Sequence, residues 1–266
     1  MSEKSRTLVV EHPGQLWRAE TRRGFLRMLG IGGTVVLLPS VFAACDNDDG
    51  VGPDSDPDPV SLNLSTDVGI LNYAFALEQL EAAFYMAVVG STAFGGMTVE
   101  QREVLTDLCN HEVIHREFFR RAIPAASRIG DLELDQATVN AAIASAGSIL
   151  RTAEQFEDLG VAAYNGAGKY LTSADNLAIA GKIVSVEARH AAAIRDLREG
   201  MSLAGTPANT RFAGDDIVNA QGLDVKLEPS AVLTRVAATN FVETPLAIGT
   251  GPTGTATPDQ APPTTP

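Results

Sequence analysis

Glutamate and histidine recur in this chain at a spacing suited to holding metal ions. Glu112 stands three residues before His115, and Glu187 three before His190. Residues i and i+3 lie on one face of a helix, so each pair can address a single metal centre. Each pair follows a glutamate and a tyrosine seven residues apart, Glu78 with Tyr85 and then Glu157 with Tyr164. Positions i and i+7 differ by only about 20° around a helix of 3.6 residues per turn. Each tyrosine therefore sits on the inward stripe of its glutamate, placed to hydrogen-bond a metal-bound carboxylate. Four carboxylates and two imidazoles on four helices form the ligand set of a two-metal site inside a bundle. The candidate ligands are Glu78, Glu112, His115, Glu157, Glu187 and His190, with Tyr85 and Tyr164 as candidate catalytic side chains.

Charge and chance both support this assignment. Four carboxylates balance two divalent cations when both imidazoles are neutral. Without metal the acids would repel one another, and some would take up protons. Oxygen-rich ligation with two histidines suits two iron or manganese ions better than zinc. With four histidines in the chain, two accidental Glu-x-x-His pairs are about a 2% event, before the tyrosines are counted.

The internal repeat selects among the acids. A shift of 79 residues lays Glu78 on Glu157 and Tyr85 on Tyr164, but lays Glu81 on Gly160 and Phe75 on Glu154. Glu81 and Glu154 thus lack counterparts. One turn from the ligands, they either support the metal-bound carboxylates or shift onto the metal themselves, or else face a neighbouring helix or solvent. His111 lies about 100° off the ligand stripe and is expected at the surface or in packing. Cys109 is expected as a small core residue.

Four helices must position these groups. Residues 66–90 carry one apolar stripe with Glu78 and Tyr85 on it. Thr98-Val-Glu-Gln101 has the form of a capping box and opens a second helix running to about Pro124. Asp135 is expected to cap a long third helix through Tyr164, stopped by Gly166 and Gly168. Ser173 caps a fourth, ending near Gly200. Pro124 to Gln136 is a long connection; thirteen residues at about 3.3 Å span roughly 40 Å, the length of a helix of about 27 residues. The expected class is all-α, a four-helix bundle with a long crossover between helices 2 and 3. Beyond Gly205 the pattern weakens, with one short helix expected over 229–242.

The amino terminus reads as an address. Thr21-Arg-Arg-Gly-Phe-Leu-Arg27 resembles a twin-arginine export signal, and the apolar run 28–44 is shorter than the roughly 20 residues of a membrane span. Phe42-Ala-Ala-Cys45 resembles a lipobox, with Cys45 the lipidated residue; cleavage by an ordinary signal peptidase is the competing reading. His12 falls in this leader. The expected organisation is a signal at 1–44, an acidic Pro/Gly spacer at 45–65, the bundle at 66–204, an extension at 205–248 and a disordered tail at 249–266. The first 44 residues hold six basic and three acidic side chains, so the rest carries −16 of a net −13. That balance argues against a nucleic-acid partner. Contact with a membrane is expected only through the signal or a lipid anchor.

At the ligand residues the sequence resembles the ferritin-like superfamily. More narrowly, Leu77-Glu-Gln-Leu-Glu-Ala-Ala-Phe-Tyr85, Gly160-Val-Ala-Ala-Tyr-Asn-Gly-Ala167 and Val186-Glu-Ala-Arg-His-Ala191 resemble an exported bacterial group related to plant desiccation-associated proteins. The resemblance covers about residues 66–204. It implies a ferritin-like bundle, iron or manganese at the six ligands, and O2 or peroxide as reactant. The expected activity is Fe(II) oxidation or peroxide consumption outside the cytoplasm, with manganese catalase as a variant. The alternative is a non-enzymatic stress-protective or metal-sequestering bundle. All six ligands come from one chain, so no second subunit is needed to complete the site.

Overall fold

The computed structural model describes residues 59–199, 214 and 216–251. The signal at 1–44, with His12, lies outside them, as do Cys45, most of the spacer, residues 200–204 of the expected bundle and the tail from 252. Four long helices carry the fold: α1 (Asp67–Gly90), α3 (Val99–Ala122), α5 (Ala146–Ala167) and α6 (Ala174–Glu199). Between them stand the short helices α2 (Thr92–Gly95) and α4 (Gln136–Ala142). After them comes α7 (Pro229–Thr239), and two strands, β1 (Val60–Asn63) ahead of α1 and β2 (Leu246–Thr250) beyond α7, pair in parallel. None of the described helices is long and apolar enough to cross a membrane.

The helices pack as two hairpins, α1 on α3 and α5 on α6, joined through α1–α5 and α3–α6 contacts. Helix α1 is buried along nearly its whole length, as befits a helix apolar on most faces. Helix α3 opens with the expected capping box, Thr98 Oγ1 accepting from Gln101 N at 3.2 Å and Gln101 Oε1 from Thr98 N at 3.1 Å. In the main core, Phe84 meets Phe156 edge-on at 5.3 Å, and Phe241 from beyond α7 meets Phe156 at 5.0 Å.

The third bundle helix is shorter than the sequence suggests. Asp135 does cap a helix, accepting from Thr138 N at 2.6 Å, but that helix is α4 and ends at Ala142. Ser145 then opens α5 with its own capping box, reciprocated by Ser148. Two hydroxyls offering local partners to the backbone favour a new start over continuation. The far end differs too. Gly166 lies inside α5, where a Cβ would stand 1.7 Å from Leu227 O. Its missing side chain admits the extension, whose Leu227 N donates to Ala162 O at 2.9 Å. Gly168 alone is the cap.

The crossover is held by two amides on α1. Asn72 donates to Ser127 O at 2.7 Å and accepts from Ile129 N at 2.9 Å. Gln79 donates to Gly130 O at 3.2 Å and accepts from Leu132 N at 2.9 Å. Seven residues apart, the two share a stripe and pair with the passing chain as a neighbouring strand would. Elsewhere, Arg195 on α6 is nearly fully buried and bidentate to Asp158 on α5 at 2.9 and 2.6 Å. It also bonds Asp216, at 3.2 and 2.7 Å, and so ties the extension down.

The strand pair was not foreseen. β1 falls at the end of the stretch read as spacer, and β2 takes in the first two residues of the stretch read as tail. Leu62 and Leu64 alternate inward from β1 and are buried.

One contact sets where the two hairpins meet. Asp67 Oδ1 accepts from Thr172 N and Oγ1 at 2.8 and 2.7 Å. Its Oδ2 accepts from Ser173 N and Asn176 Nδ2 at 3.0 and 2.8 Å. Burial opposes the charge, but these four bonds outweigh it and hold the carboxyl at about 2. Because the folded value lies below the unfolded one, the contribution is complete above about pH 4 and lost as pH falls toward 2. Asp67→Ala is expected to cost about 2 kcal/mol at pH 7. In chemical denaturation the gap to the parent protein should close between pH 4 and 2.

Candidate metal centre

All six expected ligands converge at the middle of the bundle. Glu78, Glu112, Glu157 and Glu187 are fully buried; His190 is 3% and His115 9% exposed. α1 supplies Glu78, α3 Glu112 and His115, α5 Glu157, and α6 Glu187 with His190. Their ligand atoms form two groups, Glu78/Glu112/His115/Glu187 and Glu112/Glu157/Glu187/His190. Within each group the atoms lie within 4.8 Å of one another. Glu112 and Glu187 belong to both groups and so bridge them.

The contacts are arranged about a two-fold relation. His115 Nδ1 lies 2.9 Å from Glu187 Oε1, and His190 Nδ1 lies 2.8 Å from Glu112 Oε1. Tyr85 donates to Glu157 Oε1 at 2.5 Å, and Tyr164 donates to Glu78 Oε1. Each tyrosine thus serves the glutamate of the opposite hairpin. Residue 78 faces 164 and 85 faces 157, as antiparallel helices require. The tyrosine bond takes one oxygen of each terminal carboxylate and leaves Oε2 directed at the centre.

The donor set fits two metal ions. Eight buried atoms in the cluster make no well-directed hydrogen bond: Nδ1 of both histidines, both oxygens of Glu112 and Glu187, and Oε2 of Glu78 and Glu157; the histidines meet the carboxylates only as ion pairs. Buried polar atoms are rarely left so, and eight together point to a ligand. They divide evenly, because each bridging glutamate turns one oxygen toward each histidine. The closest approaches to His115 Nδ1 are 3.4, 3.5 and 2.9 Å, from Glu78, Glu112 and Glu187. Those to His190 Nδ1 are 2.8, 3.4 and 3.7 Å, from Glu112, Glu157 and Glu187. Two ligands at about 2.1 Å from one ion stand roughly 3 to 4.2 Å apart, so these spacings suit a common ion.

Without metal, the cluster holds protons in its place. Burial alone would discharge the histidines, but the Glu78 charge and the carboxylate bonds push His115 well up. His190 reaches about 12, chiefly through Glu157. Burial, then repulsion from Glu187, raises Glu112 to about 8. Burial raises Glu157 to about 7. Glu187 is also opposed by burial, yet its bonds to both histidines bring it to about 2. The titrations of Glu112, Glu157 and Glu187 are linked through these contacts.

Glu154 turns away from the centre and pairs with Arg198. Cys109 packs in the main core, as expected. His111 differs from the surface or packing role expected for it. Though exposed, its Nδ1 lies 2.9 Å from His190 Nε2, with the ring planes within 9°. With Nδ1 of His190 facing the metal position, its proton sits on Nε2 and donates to His111 Nδ1. Burial and the neighbouring His190 and His115 charges hold His111 below its usual value, and so neutral and able to accept. The position of Glu112 relative to the stripe hid this residue, which reaches across to α6 rather than along its own helix. The available signal was scarcity: three of the chain's four histidines fall in the bundle.

His111 serves one half only, since the 75-residue shift between the Glu-x-x-His pairs carries it to Val186. A metal ion held at His190 should bind about 10- to 100-fold more weakly in His111→Ala, and one held at His115 should be unaffected. A metal titration would then show two separated steps.

The ferritin-like domain family model matches residues 66–200, about half of the chain. The chain belongs to the ferritin-like family; the described bundle is consistent with such a domain, and its buried carboxylate/histidine cluster is compatible with a di-metal site. A search of curated proteins found no match.

Proposed function

We propose that this chain binds two iron or manganese ions through Glu78, Glu112, His115, Glu157, Glu187 and His190, and uses them to oxidise Fe(II) or reduce peroxide. The observation that supports this reading is the set of eight buried donor atoms without a well-directed hydrogen bond, divided four and four about the two histidines. Such a pair of ions would supply two electrons to an O–O bond. The balance for peroxide is two Fe(II) giving one electron each, with two protons taken up and two waters released. Tyr85 and Tyr164 hold Glu157 and Glu78 in place and carry protons next to the site. A cavity no larger than one water lies beside the site, between Leu77, Leu80, Glu81, Phe156, Leu159 and Gly160.

The twin-arginine and Cys45 motifs support a place outside the cytoplasm, tethered by lipid. That route exports folded protein, so metal could be loaded before export. The test of the activity is anaerobic loading with Fe(II) in large excess over two ions per chain, the surplus serving as reductant, followed by stopped-flow addition of O2 or peroxide. Catalytic consumption that is absent in Glu112→Ala supports the redox reading. Stable binding of two ions without turnover would overturn it and leave a sequestering or protective bundle.

A further inference from the structure

The two-fold relation of the site breaks at one place. The 79-residue shift that lays Glu78 on Glu157 lays Glu81 on Gly160. A Cβ at residue 160 would stand 2.9 Å from Glu81 Oε1 and 3.6 Å from Glu187 Oε2. Two symmetric glutamates would compete for this space, and glycine on α5 leaves it to the acid on α1. Glu81 is 3% exposed, and no hydrogen bond to it is present among the described residues. Its oxygens are not among the fully buried orphaned atoms of the cluster, but a carboxyl kept in so enclosed a place beside Glu187 is costly unless it has a use. Burial, and then the charges of Glu187, Glu112, Glu157 and Glu78, hold it well above the usual carboxylate range.

We propose that Glu81 is a seventh protein ligand of the metal pair, admitted beside Glu187 by the missing side chain at Gly160. The inference rests on the two-metal reading. Glu81 stands outside the two groups of four, so it reaches an ion by a side-chain rotation. With Gly160 it also lines a water-sized cavity, so its side chain is not packed on every side. The charge count also gives it a use. Four carboxylates neutralise two divalent ions, and a fifth balances the charge added when one ion loses an electron. One half of the site is then better suited to the oxidised state than the other.

Cobalt(II) titration of the full chain tests this, in the parent protein and in Glu81→Gln, Glu81→Leu and Gly160→Ala. The expected result is two ions per chain in the parent. Glu81→Gln should bind about tenfold or more weakly, with stronger visible absorption as the coordination number falls. Gly160→Ala, acting from the opposite helix, should change affinity and spectrum in the same direction. Glu81→Leu removes an unpartnered buried acid, so its metal-free form should melt no lower than the parent, which separates lost ligation from misfolding. Affinity within twofold of the parent and an unchanged spectrum in Glu81→Gln would overturn the role of Glu81 alone. No cobalt bound by the parent would overturn the two-metal reading as well.

Discussion

Glu112→Ala and Glu187→Ala should each release both metal ions, whereas Glu78→Ala and Glu157→Ala should each release one. The difference follows from sharing. Each bridging glutamate gives one oxygen to the His115 group and one to the His190 group, while each terminal glutamate belongs to one group only. Losing a bridge removes one of four protein donors from both centres and the charge that offsets repulsion between the ions. Losing a terminal glutamate frees a tyrosine, Tyr164 or Tyr85, and leaves the other centre whole. The measure is metal content per chain after dialysis against micromolar metal. In thermal melts, an ion present at 100 times its dissociation constant adds about 2.7 kcal/mol. At roughly 2–4 °C per kcal/mol for a chain of this size, a terminal variant should lose about half of the metal-induced shift and a bridging variant nearly all of it. Equal losses from all four variants would show that the two groups do not act as separate centres.

The second large effect is a crossing of the stability-against-pH curves of metal-free and metal-loaded protein. In the metal-free state, burial lifts Glu112 to about 8 and Glu157 to about 7. The carboxylates, against the effect of burial, lift His190 to about 12 and His115 in the same direction. A group raised by folding stabilises fully below its unfolded pKa and loses that contribution as pH rises through the folded one. The windows open upward from about 4.5 for the two acids and from about 6.5 for the histidines. Glu187 behaves oppositely. Held at about 2, it contributes above pH 4.5 and is lost as pH falls toward 2. Metal-free protein should therefore be most stable near pH 4.5 to 5, and at least about 3 kcal/mol less stable at pH 8.

Metal reverses the slope. Binding would displace a proton from each imidazole and, below about pH 8, from Glu112 as well, so affinity for the pair should rise at least about 100-fold per pH unit near neutrality. Melting curves at pH 5 and pH 8, with chelator and with manganese(II), would show this as opposite trends. Parallel trends in the two series would mean that metal does not take the place of these protons.

How much of this was legible in the sequence depends on whether the information was local. The six ligands were visible because helical periodicity fixes which face a residue occupies, and the repeat supplied an independent check on the choice of acids. The capping box at Thr98 and the cap at Ser173 are likewise local, and both are present. The break before α5 was missed because Asp135 and Ser145 are both competent caps, and Ile143-Ala144 carries no Gly or Pro to mark the interruption. The β1–β2 pair joins Val60 to Leu246, and no local pattern announces so distant a partner. His111 was missed for a related reason, since its role depends on how α3 meets α6. Glu81 is the instructive case. Its lack of a repeat counterpart set it aside as a ligand, yet the counterpart, Gly160, is the residue that makes room for it.

The most direct test of the central claim is the number of ions bound per chain. Anomalous scattering from crystals of protein purified without chelator would count and place them together. The account predicts two peaks, one beside His115 and one beside His190, each within about 2.3 Å of oxygens from both Glu112 and Glu187. A single peak, or none at saturating iron or manganese, would contradict it.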